Sequence, residues 1–135
     1  MSLLVLYLST LIIFLGLDFI GLRYLVKPTF ERDVAELLLD SPRYGPAFVF
    51  YAIYVGLLLW FVSWPALHSD RTLLWVLGSG ALIGLVGYGT YEFTNLATLK
   101  GWSWRMVATD LTWGMVLTGV SAAAGVAITR AVASS

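Results

Sequence analysis

Hydrophobic positions in this chain gather into four long runs with polar punctuation between them. A helix needs roughly 20 mostly apolar residues to cross a hydrocarbon core about 30 Å thick. The runs span about 3–22, 47–64, 72–91 and 106–128, the first broken by Asp18 and the second stopped by Pro65. Trp60, Trp64, Trp75, Trp102 and Trp104 fall at their edges, where amphipathic rings prefer the headgroup level. Segments of about ten residues with strict alternation are missing, which argues against a barrel. Between the first two runs, Pro28 and Thr29 open a short amphipathic helix over about 29–39. It places Phe30, Val34, Leu37 and Leu38 on one face and Glu31, Arg32, Glu36 and Asp40 elsewhere, the pattern of a helix lying at the bilayer surface. The pattern therefore predicts an all-α, polytopic bundle of four transmembrane helices in one domain, with an interfacial helix between helices 1 and 2.

Composition agrees and narrows the function. Of 135 residues, 59 % are hydrophobic and 12 % charged, the mean hydropathy is +0.85, and the formal charge is zero. A soluble domain carries about twice that share of charge, and nucleic-acid binding has no basic excess to rest on. With no Cys and a single His, His68, neither a metal-ligand set nor a Ser-His or Cys-His nucleophile is predicted, and no cofactor is expected. The first run lacks the basic start and small-residue cleavage site of a secretory signal. Arg23, Lys27, Arg32, Arg43, Lys100 and Arg105 occupy the loops on one side, and only Arg71 and Arg130 the other. This bias predicts both termini outside the cytoplasm of a bacterial inner membrane.

That topology sets Asp18, Tyr51, Tyr54, Tyr88, Tyr91, Glu92, Asn95, Asp110 and Trp113 at one level, near the cytoplasmic leaflet, with the opposite half nearly featureless. Tyr88, Glu92 and Asn95 share about 60° of helical arc, continued by Gly84 and Gly80. Asp110, Gly114, Ser121 and Gly125 share a face of the fourth span. Small residues separated by three others let helices approach, so the two faces are expected to meet, with their carboxyl groups opposed. Carboxyls at membrane depth are costly and are turned inward and paired or protonated, which makes Asp18, Glu92 and Asp110 the candidate catalytic or binding groups. Structural roles compete with this reading: pairing with Arg105, Lys100 or Arg23, a first-turn dipole position for Asp110, an interfacial belt for the tyrosines, and backbone capping for Asn95 and Thr98.

The stretch Tyr88 to Gly114 contains Tyr88, Tyr91, Glu92, Thr94, Asn95, Ala97, Thr98, Leu99 and Trp102, then Asp110, Trp113 and Gly114. In this it resembles a bacterial membrane family catalogued as domain of unknown function 2177, although that family more often has Asp where Glu92 stands. The resemblance covers nearly the whole chain and implies a four-helix inner-membrane protein without an established activity. The occurrence of family members beside genes for cyclopropane-type lipid methylation points toward fatty-acyl modification. It adds Thr94 and Trp102 to the candidate binding residues, beside Tyr51, Tyr54, Tyr88, Tyr91, Asn95, Thr98, Arg105 and Trp113.

Such a cluster can grip an ammonium headgroup, hold a hard cation, exchange protons, or perform acid–base chemistry on an acyl chain. The leading expectation is a site that binds a membrane lipid or amphiphile, or helps modify its acyl chain by acid–base catalysis. The alternatives are a proton-coupled transporter working as a dimer and an accessory subunit of a larger membrane complex. Expected partners are membrane lipids, with a homo-oligomer or larger complex as the protein alternative.

Overall fold

The computed structural model describes residues 2–40 and 43–134, apart from the side chain of Ser134. Six α-helices follow in order: α1 Ser2–Gly21, α2 Lys27–Val34, α3 Tyr44–Leu58, α4 Trp64–His68, α5 Leu73–Thr98 and α6 Trp104–Ser134. Four helical stretches are long and apolar enough to cross a membrane: Ser2–Leu37, Tyr44–His68, Leu73–Thr98 and Trp104–Ala133. Among the described residues there is no strand.

Two of these stretches are built by the same local device. π-helical turns at Leu22–Val26 and Leu59–Ser63 join α1 to α2 and α3 to α4, and each ends two residues before a proline, Pro28 and Pro65. Proline has no N–H for the carbonyl four residues back and its ring crowds that carbonyl. A wider turn immediately upstream relieves both problems while the backbone stays helical. Pro65 therefore does not stop the second span, as the hydropathy pattern predicted; the helix continues to His68. The amphipathic segment likewise begins at Lys27, runs on from α1 without a break, and ends in a 3-10 turn at Leu37. Val34 is buried against the bundle, and Leu37 and Leu38 are exposed.

The other span ends also extend past their hydrophobic cores. The second starts at Tyr44, the third continues from the predicted 91 to Thr98, and the fourth runs from Trp104 to Ser134. Polar residues such as Glu92, Asn95 and Thr94 ended the hydropathy signal but do not end the helix, because its last turns pack against Trp102 and the next helix. Thr72 caps α5, accepting from the Trp75 N–H at 3.1 Å. Gly101, at φ +82°, supplies the left-handed residue of the short turn into α6.

α6 is the central element, packed most extensively on α5 and next on α1. Glycines set the α5–α6 distance: a Cβ on Gly84 would lie 2.5 Å from the Gly114 carbonyl oxygen, and one on Gly80 only 2.9 Å from the Gly119 Cα. The small-residue stripes thus meet as the sequence predicts. Phe14, Leu58, Val76, Leu117 and Val126 fill the shared core. α3 is different: every residue from Tyr44 to Phe50 is exposed, and burial begins at Tyr51.

Candidate functional site

Four helices bring polar groups to one end of the bundle. Asp18 lies late in α1 and is only 4 % exposed. Beside it are the Tyr51 hydroxyl from α3 and the Trp113 indole from α6. Glu92 of α5 is fully buried, Asp110 of α6 is 7 % exposed, and their carboxyl groups lie side by side. Two glycines make room for the large rings among them. A Cβ on Gly21 would lie 2.1 Å from the Trp113 indole, and one on Gly114 2.2 Å from the Tyr88 ring.

Hydrogen bonding within the cluster is incomplete. Trp102 Nε1 donates to Glu92 Oε1 at 3.0 Å. Among the described residues Glu92 Oε2, the Tyr88 hydroxyl and the Trp113 indole N–H are buried without a hydrogen bond of good geometry, although each has a polar neighbour: the Asp110 carboxyl, the Tyr51 hydroxyl and the Asp18 carboxyl respectively. Buried polar atoms are nearly always paired, so these loosely matched groups make this end the candidate site. Their chemistry is mixed: an acceptor, a donor, and a hydroxyl that can do either.

Of the basic residues expected to neutralise these carboxyls, Arg105 is engaged elsewhere and Arg23 lies over the Tyr24 ring. Arg105 pairs with Asp33 of α2, and Lys27 with Glu31. Ser103 Oγ also donates to Asp33, at 2.5 Å, and itself accepts from the Met106 N–H at the start of α6. The Ser103 hydroxyl and the Arg105 guanidinium hold the Asp33 carboxyl below the ordinary carboxylate range. This latch fixes α2 against the α5–α6 turn, where Phe30 meets the Trp102 ring edge-on at 5.2 Å. Trp102 therefore joins latch and cluster. Asp110 is the seventh residue of α6, because the helix begins at Trp104; the expected first-turn dipole position does not apply.

Of the predicted residues, the structure unites Asp18, Tyr51, Tyr88, Glu92, Trp102, Asp110 and Trp113. Tyr54 adjoins them, its ring 6.3 Å from Tyr88, with its hydroxyl 2.9 Å from the Thr118 hydroxyl. Tyr91 is exposed and meets Trp102 edge-on, with Asn95 half-buried beside it. Thr94 and Thr98 face outward, the Thr98 hydroxyl returning to the Thr94 carbonyl at 2.8 Å. With Arg105, they lie outside the cluster. No three acidic or histidine side chains among the described residues are grouped closely enough to hold one metal ion.

The opposite half is not featureless, contrary to the sequence reading. Thr10, Ser63, Thr118 and Ser121 are fully buried there or on the way to it, and Thr129 is 2 % exposed. Single hydroxyls barely lower a hydropathy average, so they escaped notice. Their signal was available in the phase of the fourth span, where Ser121 and Gly125 share the Asp110 face. A cleft of about 520 Å³ opens at that end, among Trp64, His68, Asp70, Thr129 and Arg130.

Fold and site together define a polytopic membrane protein with a buried acidic cluster at one end. A family model described as a predicted membrane protein family (DUF2177) matches residues 3–127, and the chain belongs to that family, whose function is unknown. No curated protein and no solved structure matches it.

Proposed function

We propose that this protein binds the cationic headgroup of a membrane amphiphile at the Asp18, Glu92 and Asp110 cluster. One observation carries the reading: three carboxyls from three helices are buried at one end of the bundle, Glu92 and Asp110 side by side, and no Lys or Arg is among the groups acting on them. In a low-dielectric interior, adjacent carboxyls repel when both are ionised. A proton or a positively charged ligand relieves this, and an ammonium group near aromatic rings gains further attraction. Asp110 lies near enough to act on Asp18 as well as on Glu92, so one cationic headgroup can answer all three carboxyls. In this reading the amphiphile enters along α3, where Tyr44 to Phe50 are exposed and Tyr51 is half-buried beside Asp18. The amphiphile's apolar chain then lies along exposed Phe48, Val49 and Phe50, facing lipid.

The cluster lies at the end carrying Arg23, Lys27, Arg32, Arg43, Lys100 and Arg105. By the distribution of basic residues, that end faces the cytoplasm of a bacterial inner membrane and both termini face away. Acyl modification is a further step that the same carboxyls could catalyse as acid and base.

Native mass spectrometry of the protein extracted from its own membrane, followed by identification of retained lipids, tests the proposal. An enriched amine-bearing species lost in Glu92→Gln and Asp18→Asn supports it. Only bulk phospholipid, retained equally by the variants, contradicts it.

A further inference from the structure

The buried hydroxyls of the opposite half do not belong to the acidic cluster, yet they continue its line. On α6, Asp110, Gly114, Thr118, Ser121, Gly125 and Thr129 fall within about 100° of arc and are all buried. The stripe covers about 28 Å of helix, close to the thickness of a bilayer core. At successive levels another helix sets a polar group against it: Glu92 beside Asp110, Tyr88 over Gly114, the Tyr54 hydroxyl on Thr118, and the Thr10 hydroxyl where a side chain on Gly125 would be. Thr129 ends the stripe at the open cleft, beside His68 and Asp70.

The hydroxyl partners make this more than a packing seam. Ser and Thr in membrane helices ordinarily return their hydroxyl to a carbonyl of the preceding turn, as Thr129 does to Gly125 at 2.8 Å. Thr10, Ser63 and Ser121 do not; each is fully buried with its hydroxyl unpartnered among the described residues. Ser63 sits in the π-helical turn, a feature common at functional positions. Unpaired buried hydroxyls are costly, and water satisfies them where polar groups converge.

We propose that the centre of the bundle conducts protons across the membrane through a hydrated seam from the His68–Asp70 cleft to the Glu92–Asp110 pair. A proton delivered by hydronium at the cleft passes from oxygen to oxygen, each acceptor releasing a different proton onward. It is held by one carboxyl of the pair and leaves to water at the acidic end. One positive charge crosses per event, with no oxidant, reductant or covalent intermediate. Phe14 and Leu117, fully buried beside the seam, are the apolar side chains that hydration must pass.

This function goes beyond amphiphile binding and shares only the carboxyl pair with it, so its test uses positions remote from that pair. Proteoliposomes of phosphatidylethanolamine and phosphatidylglycerol holding a pH-sensitive dye are given a potassium diffusion potential with valinomycin. Wild-type protein is expected to acidify or alkalinise the lumen, according to the sign of the potential, well above protein-free vesicles. Thr10→Val and Ser121→Ala keep shape and remove the hydroxyl; each should slow the flux about tenfold, the rate equivalent of one lost hydrogen-bonded step. Thr10→Ser should restore it. Unchanged helical circular dichroism and elution volume identify variants that remain folded. No flux from wild type, or equal flux from folded Thr10→Val and Ser121→Ala, overturns the proposal. Lipid retention by the same variants separates this outcome from failure of the headgroup site.

Discussion

Two carboxylate sites lie at the same end of the bundle and are built oppositely. Asp33 is half-buried between a hydroxyl donor and a half-exposed guanidinium, its charge matched. Glu92 and Asp110 lie buried with one indole donor between them and no base. Arg105, one residue beyond Trp104, could have served either site by sequence distance, and the fold gives it to Asp33. A surface ion pair contributes little to stability, whereas a buried carboxyl without a matching charge is expensive. The charge available at this end thus goes to the more exposed carboxyl, and the buried pair keeps none.

The largest effect should come from removing the room in which the buried site is assembled. Gly114→Leu drives a side chain into the Tyr88 ring and should cost about 3 kcal/mol, read from unfolding in mixed detergent micelles. A cost below that of the lipid-facing control Gly16→Leu, where nothing lies within 4 Å of an added Cβ, would show that the close approach is not structural. Severing the link between the sites comes next. Trp102→Phe retains an aromatic ring against Phe30 and removes the Glu92 donor, at a cost of about 1 to 3 kcal/mol for an abandoned buried acceptor. A neutral result would mean that Glu92 finds another donor.

How much of this contrast was legible in the sequence follows from what each part depends on. The four spans rest on length and hydropathy, which the bilayer imposes directly. The opposition of Glu92 and Asp110 followed from glycine spacing at helical period, a local property. By contrast, the partner of Arg105 depends on α2 folding back through a π-helical turn, and no local pattern near Arg105 announces Asp33. The proline that looked like a helix stop at Pro65 was misjudged for the same reason, because its strain is relieved upstream. Thr94 and Thr98 belong to the family pattern, but their helical phase turns them outward. Trp102 looked like an interfacial ring, and its bond to Glu92 required the turn at Gly101.

A satisfied buried pair provides the next, smaller step. Tyr54→Phe breaks the bond to Thr118 and should cost about 0.6 kcal/mol, the usual scale for hydrogen bonds between membrane helices. A much larger loss would place Tyr54 inside the strained cluster rather than beside it. Smallest in global stability is the latch itself. Asp33→Asn should leave bundle unfolding nearly unchanged while hydrogen exchange accelerates over 27–37. The pH dependence has a definite sign: Asp33 titrates lower when docked than when free, so its contribution is present above the ordinary carboxylate range and is lost as pH falls through the docked value. The protection factor over α2, taken against the intrinsic exchange rate at each pH, should therefore fall on acidification in wild type and not in Asp33→Asn.

The central claim is that the buried cluster is open to a positively charged headgroup, and Trp102 and Trp113 stand at it as natural reporters. The direct measurement is tryptophan fluorescence of the purified protein titrated with a long-chain alkylammonium below its micellar concentration, against the neutral alcohol of equal chain length. The account predicts a saturable change with the ammonium alone, removed by Glu92→Gln and by Asp110→Asn. Equal responses to amine and alcohol, or a response unaltered by both substitutions, would contradict it.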